Sequence, residues 1–221
     1  MNIDTIITSE QLIRAVNETL RMVGFSLLFG ALLGIPIGIL LVVTRPGGLL
    51  ENRLVYRVMN PVINIVRSLP FIILLVAILP FTRWLVDTSI GTTAAIVPLV
   101  LYVAPYIGRL VENSLLEVNP GILEAAQAMG AKPWQVIWHF MLPEAFGSLI
   151  LTMTTATIGL IGATAMAGTV GGGGLGDLAI SYGYQRFDTF AVVITVLLLV
   201  IFVQGIQSAG NALARRARRE R

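Results

Sequence analysis

The chain carries no charged side chain throughout AFGSLILTMTTATIGLIGATAMAGTVGGGGLG, residues 145–176, a run of 32 residues. A second uncharged run covers residues 189–214 and contains 26 residues. About 20 consecutive apolar residues are enough for a helix to cross a lipid bilayer. Because both runs exceed that length, the sequence predicts an all-α integral membrane protein.

The overall composition agrees with a membrane protein. Hydrophobic residues make up 56% of the 221 residues and charged residues only 12%, whereas soluble domains carry about 25% charged residues. We expect one transmembrane domain over residues 1–221 with about five spans. The predicted spans are residues 19–43, 61–81, 88–108, 146–170 and 190–213. Arg67 interrupts the second span, and we expect it near the cytoplasmic end, with its side chain reaching for water.

The distribution of basic residues predicts the orientation of the chain. With the N-terminus outside, the cytoplasmic side receives eleven Lys and Arg residues, and the outside receives only four, Arg14, Arg21, Arg83 and Arg186. Cytoplasmic flanks of membrane proteins are enriched in these residues. Five spans then place the C-terminus in the cytoplasm, where the five arginines of residues 215–221 form an anchor against anionic membrane lipid.

Three glycines of the first span repeat every four residues: Gly30, Gly34 and Gly38. On a helix they share one face and allow another backbone to approach closely. We favour packing within one subunit over a seam between two copies. Near the end of the third span, Arg109 and Glu112 are three residues apart, and we expect them to form a surface ion pair.

A polar stretch, residues 110–143, separates the third and fourth predicted spans and is rich in helix signals. Asn119 suits the capping position of a helix and Pro120 its first turn. We expect a short helix over residues 122–129. Gly130 suits the left-handed residue that ends such a helix.

A second helix of this stretch is expected to begin at Lys132-Pro133 and to stop at Leu142-Pro143. The small alanines of the first helix make a slim surface that could enter a groove on a partner protein. Alternatively, the two helices could lie on the membrane surface with their tryptophans at the lipid headgroups. Helix patterning alone does not decide between these interpretations.

The same stretch contains a recognisable motif. Glu124-Ala125-Ala126 is followed after three residues by Gly130, and after nine more by an apolar residue, any residue and Leu-Pro. This pattern resembles the signature of importer-type ABC transporter permeases, with Phe140 where the family more often has Ile. The resemblance implies that the stretch is a cytoplasmic docking loop for a separate ATPase. The docking residues it implies are Glu124, Ala125, Ala126, Gly130, Ala131 and Trp134.

The resemblance extends over residues 18–209 and narrows to the methionine-importer branch of the family. It is carried by RSLPFIILL (67–75), LPFTR (79–83), TSIG (88–91), AAIVPL (94–99), GGGLG (172–176) and YGY (182–184). It implies a type I ABC importer permease in the bacterial inner membrane that translocates D- and L-methionine by alternating access. The implied partners are a second copy of the chain, two copies of the ATPase and an external methionine-binding lipoprotein.

Several other functions find little support in the residues. There is no cysteine and a single histidine, His139, so we expect no metal centre and no catalytic residue, and we expect His139 at a surface. Residues 171–176 fit a dinucleotide-binding Gly pattern but follow a membrane span rather than a strand, and we expect a flexible external turn there. No Walker motif is present, so ATP and its Mg²⁺ must be bound by the partner ATPase. The basic tail indicates lipid rather than nucleic acid.

The cargo path is the least specified feature. Met153 and Met166 of the fourth span could line a path for an apolar side chain, although methionine in membrane helices usually serves packing. Two alternatives stay open: a permease of the same class for another small amino acid or an osmolyte, and a secondary transporter driven by an ion gradient. The latter usually carries acids or histidine within its spans, where this sequence has none near a span centre.

Overall fold

The computed structural model describes residues 7–219, and all regular structure in that part of the chain is helical. The helices are α1 (Ser9–Thr44), α2 (Arg53–Ser68), α3 (Phe71–Ala77), α4 (Leu79–Val86), α5 (Thr92–Leu116), α6 (Pro120–Ala128), α7 (Pro133–Gln135), α8 (Leu142–Glu144), α9 (Phe146–Gly168), α10 (Gly174–Leu178) and α11 (Thr189–Arg219), with two π-helical segments, π1 (Val136–Met141) and π2 (Ala179–Tyr184). The predicted all-α fold is therefore confirmed.

Four of the described helices, α1, α5, α9 and α11, are long and apolar enough to cross a membrane. The second predicted span is not one straight helix. It consists of α2 and α3, which meet at an angle of 102°. The break follows from Pro70, because a residue before proline avoids the helical region, and Leu69 is extended at φ −77° and ψ 127°. The prediction of one helix over residues 61–81 was wrong, since α2 ends at Ser68 and α3 begins at Phe71. Arg67 lies in the last turn of α2.

α1 begins ten residues before the predicted start of the first span. Thr8 caps its N-terminus by accepting a hydrogen bond from the backbone N–H of Gln11, whose side chain bonds back to the backbone of Thr8. Such a capping box satisfies amides that the helix itself leaves unpaired. Arg14 and Glu18, one turn apart, form an ion pair of 2.9 Å along the added turns. Hydropathy did not show this extension because it carries three charged residues, Glu10, Arg14 and Glu18.

α5 forms the centre of the bundle and packs against α1, α2, α3, α4 and α9. Gly30, Gly34 and Gly38 face α5, where an added Cβ on any of them would collide with Val103, with the Ala104 carbonyl or with the Gly108 carbonyl. Packing of this glycine face within one subunit is thereby confirmed. The main core surrounds α5 and includes the fully buried Leu99, Val103, Ile107, Val111 and Leu160.

The glycine-rich segment after α9 is held against α1. The backbone N–H of Gly174 donates to Glu18 Oε2 at 2.8 Å, and that of Leu175 donates to Thr19 Oγ1 at 2.9 Å. Gly173 has φ +78°, and a Cβ there would stand 2.6 Å from Glu18. The segment expected to be a flexible turn is thus a packed turn that joins the first half of α1 to α10.

Candidate docking surface and cargo path

The first helix of the docking loop, α6, has defined ends. Asn119 Oδ1 accepts the backbone N–H of Gly121 at 2.9 Å. At the other end Gly130 has φ +82°, and the amides of Gly130 and Ala131 donate to the carbonyls of Gln127 and Ala126 at 2.9 and 3.1 Å. These two bonds are the Schellman arrangement that closes a helix with a left-handed glycine. The corner predicted at Gly130 is therefore present.

The residues of the docking motif do not all point outward. Glu124, Ala125 and Gly130 are exposed, and Ala131 is half-buried. Ala126 has no exposed surface, because its face of α6 packs against π1. Ala126 therefore holds the docking loop together from inside, and only the neighbouring residues of the motif are open to a partner.

Two large apolar side chains close to Gly130 in the sequence are exposed, Met129 at 73% and Trp134 at 55%. Trp138, which is 64% exposed, lines an apolar groove between α9 and α11 instead. His139 is also exposed, as expected, and its ring lies edge-on to that of Trp134 at 6.1 Å. Exposed aromatic and methionine side chains beside a slim helix are the anchors that a hydrophobic groove on a partner recognises.

The second helix of the docking loop passes its predicted stop. Helical structure continues through Pro143 to Glu144. Leu142, just before the proline, donates its backbone N–H to Ile137 O, a π-type bond. The wider π turn makes room for the proline ring, which would otherwise collide with the preceding turn. The stop predicted at Leu142-Pro143 was wrong for this reason.

Hydrogen bonds tie the docking loop to two long helices. Ser114 of α5 lies 2.8 Å from the hydroxyl of Thr152 in α9. Ser148, in the first turns of α9, donates to Glu117 at 2.9 Å, just before α6 begins. The ends of α5 and α9 next to the loop are thereby joined to each other and to the start of α6.

The predicted surface pair at the end of α5 is buried, which corrects the expectation. The side chain of Glu112 is 4% exposed and that of Arg109 is 17% exposed. Arg109 also donates to the side-chain oxygens of Asn60 and Asn64 in α2, at 2.5 and 2.8 Å. The amides of α2 could not be foreseen as partners because they are more than 40 residues away in the sequence. This cluster holds α2 against α5.

The two candidate path methionines lie on different faces of α9. Met153 packs against the main core and borders an apolar groove between α9 and α11. Met166 is 51% exposed. It shares its face with Thr155, Gly159 and Gly162, at helical spacing. The structure therefore does not bring Met153 and Met166 together.

The face that carries Met166 continues onto other helices through residues that sequence reasoning missed. A Cβ on Gly159 would stand 3.7 Å from the ring of Tyr106 in α5, and the guanidinium of Arg67 lies 6.0 Å from the centre of the same ring. Arg67 is exposed. Only the tertiary contact of α2, α5 and α9 reveals this surface, because its members come from three distant segments.

Comparison with known proteins identifies the family. A model of the binding-protein-dependent transport system inner membrane component family matches residues 12–219. The chain belongs to this family. It is thus a multi-pass protein of the bacterial inner membrane, as the sequence predicted.

Individual relatives of this permease are similar over most of their length. It is 49% identical over 210 residues to the probable D-methionine transport system permease protein MetI of Vibrio cholerae, covering 95% of this chain and 93% of that protein. It is 51% identical over 157 residues to the D-methionine transport system permease protein MetI of Escherichia coli K12, covering 71% and 72%. Its structure matches a chain of the inward-facing MetNI methionine ABC transporter with a TM-score of 0.93 and 47% identity, covering 95% of this chain and 97% of that chain.

Between residues 7 and 219, no three His, Cys, Asp or Glu side chains are grouped closely enough to hold a metal ion. Two surface features of the permease stand out. One is the exposed glycine corner that follows α6, at one end of the bundle, and the other is an uncovered face of small and polar residues along α9.

Proposed function

We propose that this permease is the membrane subunit of an ATP-driven importer of D- and L-methionine. The observation that carries the proposal is its near full-length similarity, at 49% identity, to a protein named as a D-methionine transport permease. The likeness of its structure to a methionine ABC transporter chain, with a TM-score of 0.93, supports the same function. Two copies of the permease work with two copies of a separate ATPase and an external methionine-binding lipoprotein.

The docking loop receives the ATPase. Its exposed knob is formed by Glu124 and Ala125, the left-handed corner at Gly130 and the aromatic ring of Trp134. Arg45, just after the end of α1, lines a pocket together with Glu124 of the knob, so a basic helix end lies beside the knob, which favours the cytoplasmic side. The N-terminus of α1 then lies outside. The ATPase supplies the sites for ATP and Mg²⁺.

The cargo path follows the uncovered face of α9 between two copies of the permease. The face is lined by Thr155, Gly159, Gly162 and Met166, and it meets Tyr106 of α5. Lipid-facing helix surfaces consist mainly of large apolar side chains, whereas small residues mark helix contacts. Two copies related by a two-fold axis bring this face opposite itself.

Arg67 supports a water-filled space beside this face. It is exposed at the bend between α2 and α3, about 20 Å along α2 from Arg53. A cation at such a depth is costly when it faces hydrocarbon and is accommodated where it faces water or protein. The contact of Arg67 with Tyr106 supports a position at the edge of the proposed path.

Alternating access follows from rigid attachment of the docking loop. When two ATPase subunits close on ATP, they draw the two copies of α6 together. The hydrogen bonds of Ser114 with Thr152 and of Glu117 with Ser148 make α5 and α9 follow that movement. Because α9 lines the path, its tilt closes one side and opens the other.

The second candidate, an ion-coupled transporter, would need an acid free to bind and release the ion along the path. The buried acid of the described spans, Glu112, is instead paired with Arg109. A permease for another small amino acid or an osmolyte would share every structural feature above, and cargo assays separate it from the methionine importer.

Uptake in vesicles tests the proposal. The permease, its ATPase and the methionine-binding lipoprotein are reconstituted, and uptake of labelled L- and D-methionine is measured with ATP, without ATP and with an ionophore. ATP-dependent uptake that resists the ionophore is expected. Uptake that persists without ATP and collapses with the ion gradient would replace the proposal by the ion-coupled alternative. Transport of other amino acids or osmolytes in preference to methionine would correct the cargo.

A further inference from the structure

An open apolar groove of about 850 Å³ runs between α9 and α11 at the end of the bundle that carries the docking loop. Its volume falls in the range typical of ligand-binding pockets. Its lining includes Trp138, Phe146, Met153, Thr157, Ala209 and Leu213.

The groove offers hydrocarbon and almost no polar groups to an occupant. Its two threonines from α9 bond within their own helix, Thr154 to the Ile150 carbonyl at 2.8 Å and Thr157 to the Met153 carbonyl at 2.7 Å. A polar ligand such as an amino acid would lose its hydration there without gaining hydrogen bonds. An alkyl chain suits this lining.

The groove lies on the opposite side of α9 from the proposed cargo path. Met153 borders the groove and Thr155 belongs to the path face. Residues two positions apart on a helix point in directions about 200° apart, so the two surfaces lie on opposite sides of α9. Along α9 the groove extends from Phe146 to Thr157, which corresponds to a helical rise of about 16 Å. That length is close to one leaflet of a hydrocarbon core of about 30 Å.

The mouth of the groove is basic and aromatic. Leu213 lines the groove, and exposed Arg216 follows it three positions later on the same side of α11. Exposed Arg215 lies on the opposite side, because residues two positions apart on a helix differ by about 200°. Trp138, also in the lining, is 64% exposed. Arginines attract anionic headgroups, and tryptophan favours the boundary between hydrocarbon and headgroups.

We propose that this groove binds one acyl chain of an anionic phospholipid from the adjoining leaflet, with the headgroup held at Arg216. The site joins the docking loop, through Trp138, to α9 and α11. A bound lipid therefore fills the space behind the helix that lines the cargo path. The proposal requires only that the permease lies in a membrane, so it is independent of the cargo.

Photocrosslinking tests the site in the complete complex of permease and ATPase. The complex is reconstituted in phosphatidylcholine vesicles that contain a trace of phosphatidylglycerol bearing a diazirine in its acyl chain, or phosphatidylcholine with the same chain. Labelled peptides are mapped by mass spectrometry. The phosphatidylglycerol probe is expected to label the groove segments of α9 and α11 several-fold more than the phosphatidylcholine probe.

Two variants separate the groove from the headgroup contact. Ala209→Phe fills the groove and is expected to reduce labelling there to background. Ser208→Phe places the same ring on the neighbouring exposed position outside the lining and leaves labelling unchanged. Arg216→Gln is expected to lower the preference for phosphatidylglycerol by about fivefold. Arg215→Gln, on the opposite side of α11, is the matched control and should leave that preference nearly unchanged.

Three results would overturn the proposal. Equal labelling by both probes would mean ordinary contact with lipid tails. Unchanged labelling in Ala209→Phe would place the acyl chain elsewhere. Absence of groove labelling by either lipid probe would show that protein covers this face. Should Ala209→Phe fail to purify with the ATPase, the probe preference in the arginine variants decides.

Discussion

Gly34 of α1 lies so close to Ala104 of α5 that a Cβ on Gly34 would stand 2.6 Å from the Ala104 carbonyl oxygen. The two helix backbones are therefore in direct contact at this point. The core is arranged around this contact, because α2, α3, α4 and α9 also pack against α5.

Gly34→Leu should separate α1 from α5, since neither backbone can yield to a side chain. We expect the free energy of unfolding to fall by about 1–3 kcal/mol, the usual cost of overpacking. Thermal unfolding of the purified permease in detergent measures the loss. Gly24→Leu is the matched control, because an added Cβ on Gly24 meets no atom within 4 Å. Equal stability of the two variants would contradict close packing at Gly34.

Gly130→Val should weaken binding of the ATPase. The residue at 130 has φ +82°, a conformation that costs a β-branched residue about 1–2 kcal/mol. Relief of that strain moves the corner, and we expect about tenfold weaker association, measured by co-purification and titration. Gly130→Asn should bind nearly as well as the wild type, since asparagine tolerates the left-handed region. Normal binding by the valine variant would remove the corner from the docking surface.

We expect Ala125→Trp to impair ATPase binding and Ala126→Trp to impair folding. Ala125 is exposed, so its variant is expected to fold normally and to lose the ATPase by steric exclusion. Ala126 has no exposed surface, so its variant is expected to lose about 3 kcal/mol of stability from overpacking. Thermal unfolding and co-purification together distinguish the two outcomes. Coupled transport that survives Ala125→Trp would mean that α6 is not the contact.

Arg109→Met should destabilise the permease strongly. Glu112 would keep a buried negative charge with no partner, at a cost of about 3–5 kcal/mol. The double variant Arg109→Met, Glu112→Leu removes both charges and should recover most of that loss. Chemical unfolding of the single and double variants measures the difference. A single variant as stable as the double one would show that the ion pair does not matter to the fold.

Gly162→Phe should block transport without disturbing the subunit. No atom of the same chain lies within 4 Å of a Cβ on Gly162, and the proposed path runs past it. We expect methionine uptake to fall at least tenfold while ATPase binding and thermal stability stay unchanged. Gly24→Phe is the control, with an equally open glycine on α1. Full uptake by the α9 variant would place the path elsewhere.

The sequence was most informative where one segment acts alone. The uncharged runs revealed the membrane fold, and the glycine spacing on α1 predicted a close helix contact. Asn119 and Gly130 predicted the two ends of α6. Each of these signals is local, because hydropathy, capping and left-handed glycine depend on neighbouring residues only.

Signals that combine distant segments are not visible in the sequence. The spacing of Arg109 and Glu112 predicts a surface pair, because the partners of Arg109 in α2 lie far away in the chain. The motif implies that Ala126 is a docking residue, and sequence does not show that its face of α6 packs inward. Met153 and Met166 were paired by residue type, although helical geometry places them on different faces of α9.

Sequence by itself therefore determined the membrane class, the number of apolar segments and the presence of a structured polar loop, because water and lipid sort residues along the chain one segment at a time. Tertiary structure alone decided the bend between α2 and α3, the burial of the Arg109–Glu112 pair and the groove between α9 and α11. Those features depend on how helices approach one another in space, and the approach is set by close packing among residues that sequence order keeps apart.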